Sequence, residues 1–244
     1  MSLQWFTSDE RPDLVDRRAH LVDTWPKFML ESPVSHRCWR LLYERFGGLQ
    51  HLLVDDATDE PLAEANSVPV AVDLDALPER GWEDVLQRGT TSGDVPNAVS
   101  AIAIVIASDR RGEGLSRVCL ERMRDAAAEH GYPDLVAPVR PSWKARYPLI
   151  DIDRYVAWRT SDGLPFDPWL RVHARAGAKL VRVCHESMTI PGTVREWEAW
   201  AGMPFPESGD YVVPGALTPV SIDVEQDRGV YVEPNVWMHH RLAV

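Results

Sequence analysis

The sequence predicts a mixed α/β fold from a strand, a helix and a second strand that follow one another directly. Residues 98–106 are apolar on both faces, which is typical of a central strand. Apolar residues at helical spacing predict a helix over 114–130, ended by Gly131. Residues 135–139 form the second predicted strand, and a short helical crossover between two strands makes them parallel.

Helices and a hairpin are predicted before this core. Apolar side chains at three- and four-residue spacings predict helices over 12–46, and Pro26 and Pro33 divide that region. Residues 51–55 then form a first strand, and 65–72 form its hairpin partner. Together with the central strand, these elements predict a mixed sheet with helices placed ahead of it.

The region after the second core strand is less regular. Residues 142–168 carry several aromatic side chains without a clear period and are treated as an insertion. A helix is predicted over 169–176, and a strand over 179–183 follows it. Residues 187–244 are a C-terminal elaboration of the fold.

The C-terminal elaboration is predicted to contain a short helix and an extended hairpin. The helix covers 194–200, and the hairpin joins 217–224 to 229–237. His239 and His240 follow the hairpin and are expected to lie in an exposed tail. Two adjacent histidines without further spaced ligands make a poor metal site, so no metal is expected.

Composition places the chain among globular proteins and excludes several classes of function. The 244 residues suit one domain over 1–244, and 45% apolar with 26% charged residues argues against disorder. The formal net charge of −11 opposes attraction to nucleic acid or to anionic membranes. No apolar run is long enough to span a membrane, and the first residues lack a secretion signal, so a cytoplasmic location is expected.

The three cysteines are expected to be reduced and buried. Cys38, Cys119 and Cys184 are odd in number, far apart and without the C-x-x-C spacing of zinc or redox sites. Cys184 precedes His185, but neighbours on a strand point to opposite faces. This dipeptide is therefore not predicted to be a catalytic pair.

A glycine-rich segment joins the central strand to the helix after it. It consists of Arg111, Gly112, Glu113, Gly114, Leu115 and Ser116. Backbone N–H groups at such a turn can converge at the positive end of the helix, a geometry that favours a diphosphate. Taken alone, the six residues are equally compatible with an ordinary βα turn.

The strand, the Arg-x-x-Gly-x-small pattern and the amphipathic helix together resemble the acyl-CoA-binding core of the GNAT superfamily, the acyl-CoA-dependent N-acyltransferases. That family's pattern is R/Q-x-x-G-x-G/A, and this chain matches it at Arg111 and Gly114, with Ser116 at the last position. The resemblance extends over 97–183. The tail, in its segments at 205–211 and 233–237, also resembles actinobacterial members of the superfamily.

The resemblance implies how an acyl-CoA would bind. The backbone of Ile104, Val105 and Ile106 would pair with the pantetheine arm and place an N–H near the thioester oxygen. The glycine-rich segment would hold the diphosphate. Acetyl-CoA or another acyl-CoA is thus the implied co-substrate.

The family's second motif is a helix that ends in Tyr-x-x-x-Gly, and its tyrosine protonates the departing thiolate. His173 and Gly177 stand at the corresponding positions, so His173 is the implied proton donor. An imidazole titrates near neutral pH and suits that role. The alternative is a histidine that only packs on the helix between Arg171 and Arg175.

An amine acceptor is mostly protonated near neutral pH and needs a base. Glu233 is the first candidate, although a structural or solvated carboxylate is the more frequent role for such a residue. The weaker candidates are Glu64, Asp73, Glu207 and Asp210.

Bulky aromatic residues of the insertion and the tail could roof an acceptor. The residues predicted to contact the acceptor are Trp143, Tyr211 and Trp237. A pocket lined by such side chains suits a small-molecule amine. The sequence therefore predicts transfer of an acyl group, most simply acetyl, from a CoA thioester to a small amine by direct attack. Two alternatives stay open: an acyl carrier protein as donor, or a non-catalytic acyl-CoA-binding module. A homodimer also stays open.

Overall fold

A computed structural model of the chain describes residues 3–22 and 24–243 and confirms the mixed α/β fold. Its strands are β1 (Leu3–Thr7), β2 (Gln50–Asp55), β3 (Glu60–Val70), β4 (Ala98–Ile106), β5 (Asp134–Val139), β6 (Lys179–Gly192), β7 (Gly209–Tyr211), β8 (Val220–Asp223) and β9 (Arg228–Arg241). Its α-helices are α1 (Asp13–Arg17), α2 (Ala19–Val22), α3 (Pro33–Phe46), α4 (Gly81–Thr91), α5 (Leu115–Glu129), α6 (Ile152–Val156), α7 (Pro168–Arg175) and α8 (Val194–Ala201).

All of these strands belong to one sheet. Its order is β1-β2-β3-β4-β5-β9-β8-β7, and β6 pairs with β9 as well. β4 and β5 are parallel and joined through α5, as predicted, whereas the other pairs are antiparallel. Both predicted hairpins are confirmed: β2 pairs with β3, and β8 pairs with the start of β9.

β4 and β5 part from each other soon after they begin. Their register contains only the pairs of Val99 with Leu135 and of Ser100 with Val136. On its other side, β4 stays paired with β3 as far as Ile106. Among the residues that the structure describes, the later part of β4 therefore has a neighbouring strand on one side only. We call this opening between β4 and β5 the split.

Two layers of helices cover the sheet. On one face, Ala63 and Ala65 of β3 pack in one cluster with residues of α5. Because side chains alternate along a strand, Glu64 and Asn66 point to the opposite face. There they contact Arg18 and Tyr43, which belong to the N-terminal helical region.

A β-bulge marks the beginning of the split. The β3–β4 register shifts at Asn66 and Ser67, which pair with Ala103 and Ala101, so Ile102 is the extra residue of β4. The carbonyl of Ile102 accepts a 2.8 Å hydrogen bond from the indole Nε1–H of Trp82. Trp82 belongs to α4, a helix that the sequence patterns did not predict.

The expectation of an exposed C-terminal tail was wrong. β9 continues through His239 and His240 to Arg241, and His240 is 1% exposed. The imidazole of His239 bonds to Asp134 at 2.7 Å, and Arg241 bonds to the same carboxylate. Pairing with β5 extends the hairpin because it satisfies backbone groups that a free tail would leave to water.

Other differences concern the extent of elements. β6 runs nine residues beyond the predicted strand end at Val183, with a register shift between Cys184 and Met188, and the insertion contains the short helix α6. β1 was also missed, because a five-residue edge strand gives little pattern. The predicted burial of the three free cysteines is confirmed.

No helix within 3–22 and 24–243 is both long enough and apolar enough to cross a membrane.

Candidate active site

The split places the backbone of Ile104, Val105 and Ile106 beside a gap. Their pairing partners in β3 are Ala65, Glu64 and Ala63. The opposite side of this stretch has no strand partner among the described residues. An extended polar ligand can therefore use these free backbone positions, as an added strand does at a sheet edge.

The glycine-rich segment forms the turn between β4 and α5. Gly112 and Gly114 have φ values of +89° and +80°, a conformation that glycine adopts far more readily than other residues. A Cβ placed on either glycine would meet nothing within 4 Å, so backbone conformation rather than packing requires glycine there.

The N-terminus of α5 is open to an anion. Gly114 occupies the cap position and provides no side-chain hydrogen bond to the first turn. The first backbone N–H groups of a helix have no partner within the helix, and the helix dipole makes that end positive. The start of α5 can thus bind a phosphate group at the same end of β4 as the split.

An ion pair shapes the charge around this turn. Arg110 Nε donates to Glu113 at 2.8 Å, and that hydrogen bond lowers the pKa of Glu113. The acidic side chain of the turn is therefore held and neutralised by its neighbour. Arg111 is exposed and makes no ion pair with the described residues, so the turn keeps a positive charge on an acidic protein.

A buried carboxylate lies beside the split on the face opposite α5. Glu64 is 2% exposed, and its Oε2 lies 3.1 Å from Arg18 Nη1 and 3.3 Å from the hydroxyl of Tyr43. Burial raises the pKa of Glu64, although the charge of Arg18 and the bonds from Tyr43 and Arg18 oppose the rise. The Tyr43 hydroxyl also accepts a 2.9 Å bond from Asn66 Nδ2.

Glu233, the first candidate base, lies in a second buried network. Its carboxylate accepts hydrogen bonds from Arg140 Nε at 2.8 Å, from the Tyr231 hydroxyl at 2.9 Å and from Asn235 Nδ2 at 3.2 Å. Arg140 also donates to the carbonyl of Gly215 at 2.6 Å. Both carboxylate oxygens are in use, an arrangement that ties β9 to the loop at Gly215.

His173 lies at the end of the β4–β5 pair where the two strands are joined, through the pairs of Val99 with Leu135 and of Ser100 with Val136. We call this the closed end. His173 is 1% exposed, and its Nδ1 shares a 3.0 Å hydrogen bond with Nε2 of His240. His240 pairs with Leu135, the residue that faces Val99 where the two strands are joined. Burial, with the neighbouring His240, lowers the pKa of His173, so the imidazole is neutral at pH 7.

The three predicted aromatic residues do not form one wall. Trp237 is 0% exposed, and its indole donates to the carbonyl of Pro78 at 3.0 Å. Tyr211 packs edge-on against Phe205, at the margin of the apolar cluster that also contains Trp237. Trp143 belongs to a different cluster, formed with the insertion on the other face.

Arg18 is a polar residue of this region that the sequence patterns missed, as are Asn66 and the hydroxyl of Tyr43. Glu64 was only a weaker candidate, although it interrupts the apolar run from Leu62 to Ala65 in a strand buried along almost its whole length. A charged residue in such a strand requires a buried partner and is the signal that could have drawn attention to Glu64 and Arg18.

The chain closely resembles a known acetyltransferase. It is 33% identical over 267 residues to the arginine N-acetyltransferase avaD of Aspergillus versicolor, covering 96% of this chain and 92% of that protein. No family model matches the chain.

Solved structures share the fold. The loading GNATL domain of CurA from Lyngbya majuscula has a TM-score of 0.62 at 17% identity, covering 99% of this chain and 98% of that one. The GphF GNAT-like decarboxylase in complex with isobutyryl-CoA has a TM-score of 0.60 at 15% identity, with both chains fully covered. The similarity to avaD and this shared fold confirm the resemblance seen at the glycine-rich segment: the chain belongs to the GNAT superfamily and is an enzyme of the N-acyltransferase type.

Proposed function

We propose that this enzyme transfers an acetyl group from acetyl-CoA to the amine of a small molecule, in a ternary complex of enzyme, donor and acceptor. The observation that carries the proposal is the split between β4 and β5, which opens at the same end of β4 as the uncapped N-terminus of α5. One site can thus receive both the polar arm and the diphosphate of a CoA thioester.

The donor would lie along β4. Its pantetheine amides would bond to the backbone at Ile104, Val105 and Ile106, and its diphosphate would bind the N–H groups after Gly112 and Gly114. The charge of Arg111 would add attraction to the diphosphate. A β4 backbone N–H would then lie near the thioester oxygen and stabilise the charge that develops there.

The reaction consumes an ammonium group and a thioester. The ammonium gives one proton to a base, and the amine lone pair attacks the thioester carbonyl carbon. The C–S bond then breaks, the nitrogen loses a second proton, and the thiolate takes up one. The products are an amide, the CoA thiol and one proton released to solvent.

The assignment of proton transfers to Glu233 and His173 remains a prediction. Glu233 is on the face opposite α5, but it is fully hydrogen-bonded in a structural network. His173 lies at the closed end and bonds to another neutral histidine. This geometry favours structural roles for both residues.

Arginine is the first acceptor to test. The relative avaD bears that substrate in its name and is aligned along almost the whole chain. The chain has 37 acidic and 26 basic residues, and its net negative charge also favours a cationic acceptor through long-range attraction. Contact of the acceptor with Trp143, Tyr211 and Trp237 remains a prediction, which the full burial of Trp237 and the position of Trp143 on the other face do not favour.

Calorimetric titration with acetyl-CoA, followed by an acetylation assay with arginine, tests the proposal. We expect micromolar binding of acetyl-CoA and of CoA, and at least tenfold weaker binding of S-acetylpantetheine, which lacks the diphosphate. Equal binding of the two thioesters would contradict the proposed diphosphate site. Absence of acetyl-CoA binding, with transfer from an acetylated acyl carrier protein, would replace the donor by the carrier. Tight binding without transfer to any amine would indicate a binding module.

A further inference from the structure

We propose that Arg18 and Glu64 together recognise the carboxylate and the ammonium of an α-amino acid, so that the enzyme acetylates the α-amine. The inference rests on the proposed function and specifies the class of its acceptor. Asn66 and Tyr43 complete the site, which we call the Arg18–Glu64 site.

The Arg18–Glu64 site is an ion pair held inside the protein. The side chains of Arg18 and Glu64 are 13% and 2% exposed, and their closest atoms are 3.1 Å apart. The Arg18 guanidinium lies over the ring of Tyr43, 4.8 Å from its centroid. Burying two charges is costly, and a pair of this kind is often no more stabilising than apolar packing. Its presence in a largely apolar region calls for a role besides stability.

Two polar atoms of this site have no hydrogen-bond partner among the described residues. They are Arg18 Nε, a donor, and Asn66 Oδ1, an acceptor, and both are buried. Buried polar atoms are nearly always paired in folded proteins, so each such atom requires an explanation. A carboxylate oxygen can accept from Arg18 Nε, and an ammonium can donate to Asn66 Oδ1.

The charges match the two ends of an α-amino acid. Arginine is the side chain best suited to bind a carboxylate, because its planar guanidinium can donate two parallel hydrogen bonds. Glu64 supplies the negative charge for the ammonium. The head group would insert between the two partners, replacing one internal ion pair by two ion pairs to the ligand.

The site lies beside the atoms that react. In the β3–β4 register Glu64 is directly opposite Val105, and Asn66 is opposite Ala103. The Cβ atoms of such directly paired residues are about 5 Å apart and on the same face. The thioester is proposed to lie along the other edge of β4 at Ile104 to Ile106. An ammonium bound at Glu64 would therefore be next to the thioester. It would lie on the face of the sheet opposite α5 and the glycine-rich turn that is proposed to bind the diphosphate.

The same carboxylate can take the first proton. Burial raises the pKa of Glu64, which makes the carboxylate a stronger base than a solvated glutamate. The proton would move from the ammonium nitrogen to a Glu64 oxygen, leaving the nitrogen lone pair free to attack the thioester carbon.

The first test compares arginine with agmatine, which is arginine without its carboxylate. We expect kcat/KM of the wild-type enzyme to be at least 100-fold higher for arginine. Arg18→Gln should lower kcat/KM for arginine at least 30-fold, mainly through KM, and lower the value for agmatine much less, so that the preference for arginine over agmatine decreases at least tenfold. The matched control is Arg40→Gln, because Arg40 is 84% exposed on α3; it should leave both values unchanged.

The second test concerns Glu64. Glu64→Gln keeps the shape of the side chain but removes its charge. We expect kcat to fall at least tenfold and the acidic limb of the kcat–pH profile, which protonation of Glu64 causes in the wild type, to disappear. A variant that folds with unchanged kcat and an unchanged pH profile would overturn this role of Glu64.

The ratio of kcat/KM for arginine to kcat/KM for agmatine is measured on the wild-type enzyme. It therefore decides the inference even if Arg18→Gln does not fold. Equal rates with arginine and agmatine would overturn the Arg18–Glu64 site while leaving the acetyltransferase function intact. If arginine is no substrate, the same ratio is measured for other α-amino acids against their decarboxylated amines, and absence of any preference overturns the inference. Failure of the proposed function is recognised separately, by loss of acetyl-CoA binding in calorimetry.

Discussion

The two ends of the β4–β5 pair are built from the same two strands but differ in the hydrogen bonding of their polar groups. At the closed end, Asp134 bonds to His239 and Arg241, and His173 bonds to His240. At the split end, within the described part of the chain, β4 keeps a strand partner on one side only and the first turn of α5 has no side-chain cap.

This comparison indicates how one pair of parallel strands can provide both a framework and the proposed ligand site. Where the strands are joined, polar groups are satisfied within the protein and contribute to stability. Where they part, backbone groups remain available, and charged residues are arranged around them. Changes at the closed end should therefore alter stability, whereas changes at the split end should alter binding.

The largest expected effect is on stability, from His173→Ala at the closed end. Removal of a fully buried ring should lower the free energy of unfolding by about 3 kcal/mol, because a cavity remains and His240 loses its partner. Urea unfolding measures the change, with the exposed His36→Ala as the control. A loss of kcat without a loss of stability would instead support the proton-donor role predicted for His173.

The next effect is on donor binding, from Arg111→Glu at the split end. Reversal of the charge beside the diphosphate turn should weaken acetyl-CoA binding at least tenfold, about 1.4 kcal/mol, and leave the free energy of unfolding within about 0.5 kcal/mol. Calorimetric titration gives the affinity. Arg40→Glu makes the same charge change on α3 and should leave the affinity unchanged; an equal loss in both variants would assign the effect to net charge alone.

The smallest effect is a change in the pH dependence of stability. Burial lowers the pKa of His173 and of His240, the latter to about 4, whereas both titrate near 6.5 when unfolded. Below pH 6.5 the unfolded chain binds more protons, so their contribution is fully present above that pH and decreases as the pH falls. The slope should approach roughly 1 kcal/mol per pH unit per histidine between pH 6 and 5.

A double variant, His173→Leu with His240→Leu, isolates that contribution. Leucine packs in the same apolar surroundings but does not titrate, so the variant should lose less stability than the wild type between pH 7 and 5. Urea unfolding at both pH values measures the difference. An unchanged slope would mean that the pKa values of the two histidines are the same in the folded and the unfolded protein.

The sequence patterns predicted the strand, turn and helix of the proposed donor site, because the signals for these elements are local. A strand apolar on both faces, two glycines in a turn and an amphipathic helix follow one another within about 30 residues. Their geometry depends on backbone preferences that each residue carries with it. The turn at Gly112 and Gly114 accordingly has the backbone conformation for which glycine is suited.

The acceptor side could not be predicted in the same way. Arg18 and Glu64 are 46 residues apart and meet only because α1 and α2 lie over β3. His173 and His240 are 67 residues apart, and the second was expected in a tail rather than in a strand. No local pattern reports whether a charged residue on a strand faces water or a buried partner.

The sequence by itself determined the fold class, the family and the glycine-rich turn between β4 and α5, because periodicity and glycine placement are properties of short segments. Tertiary structure alone decided which residues of β4 lost their second strand partner, and which carboxylate came to lie beside them. The separation of two strands and the burial of an ion pair depend on how distant segments pack together. In this enzyme those contacts, more than the residue types alone, distinguish Glu233, which is held in a hydrogen-bond network on β9, from Glu64, which lies beside the split.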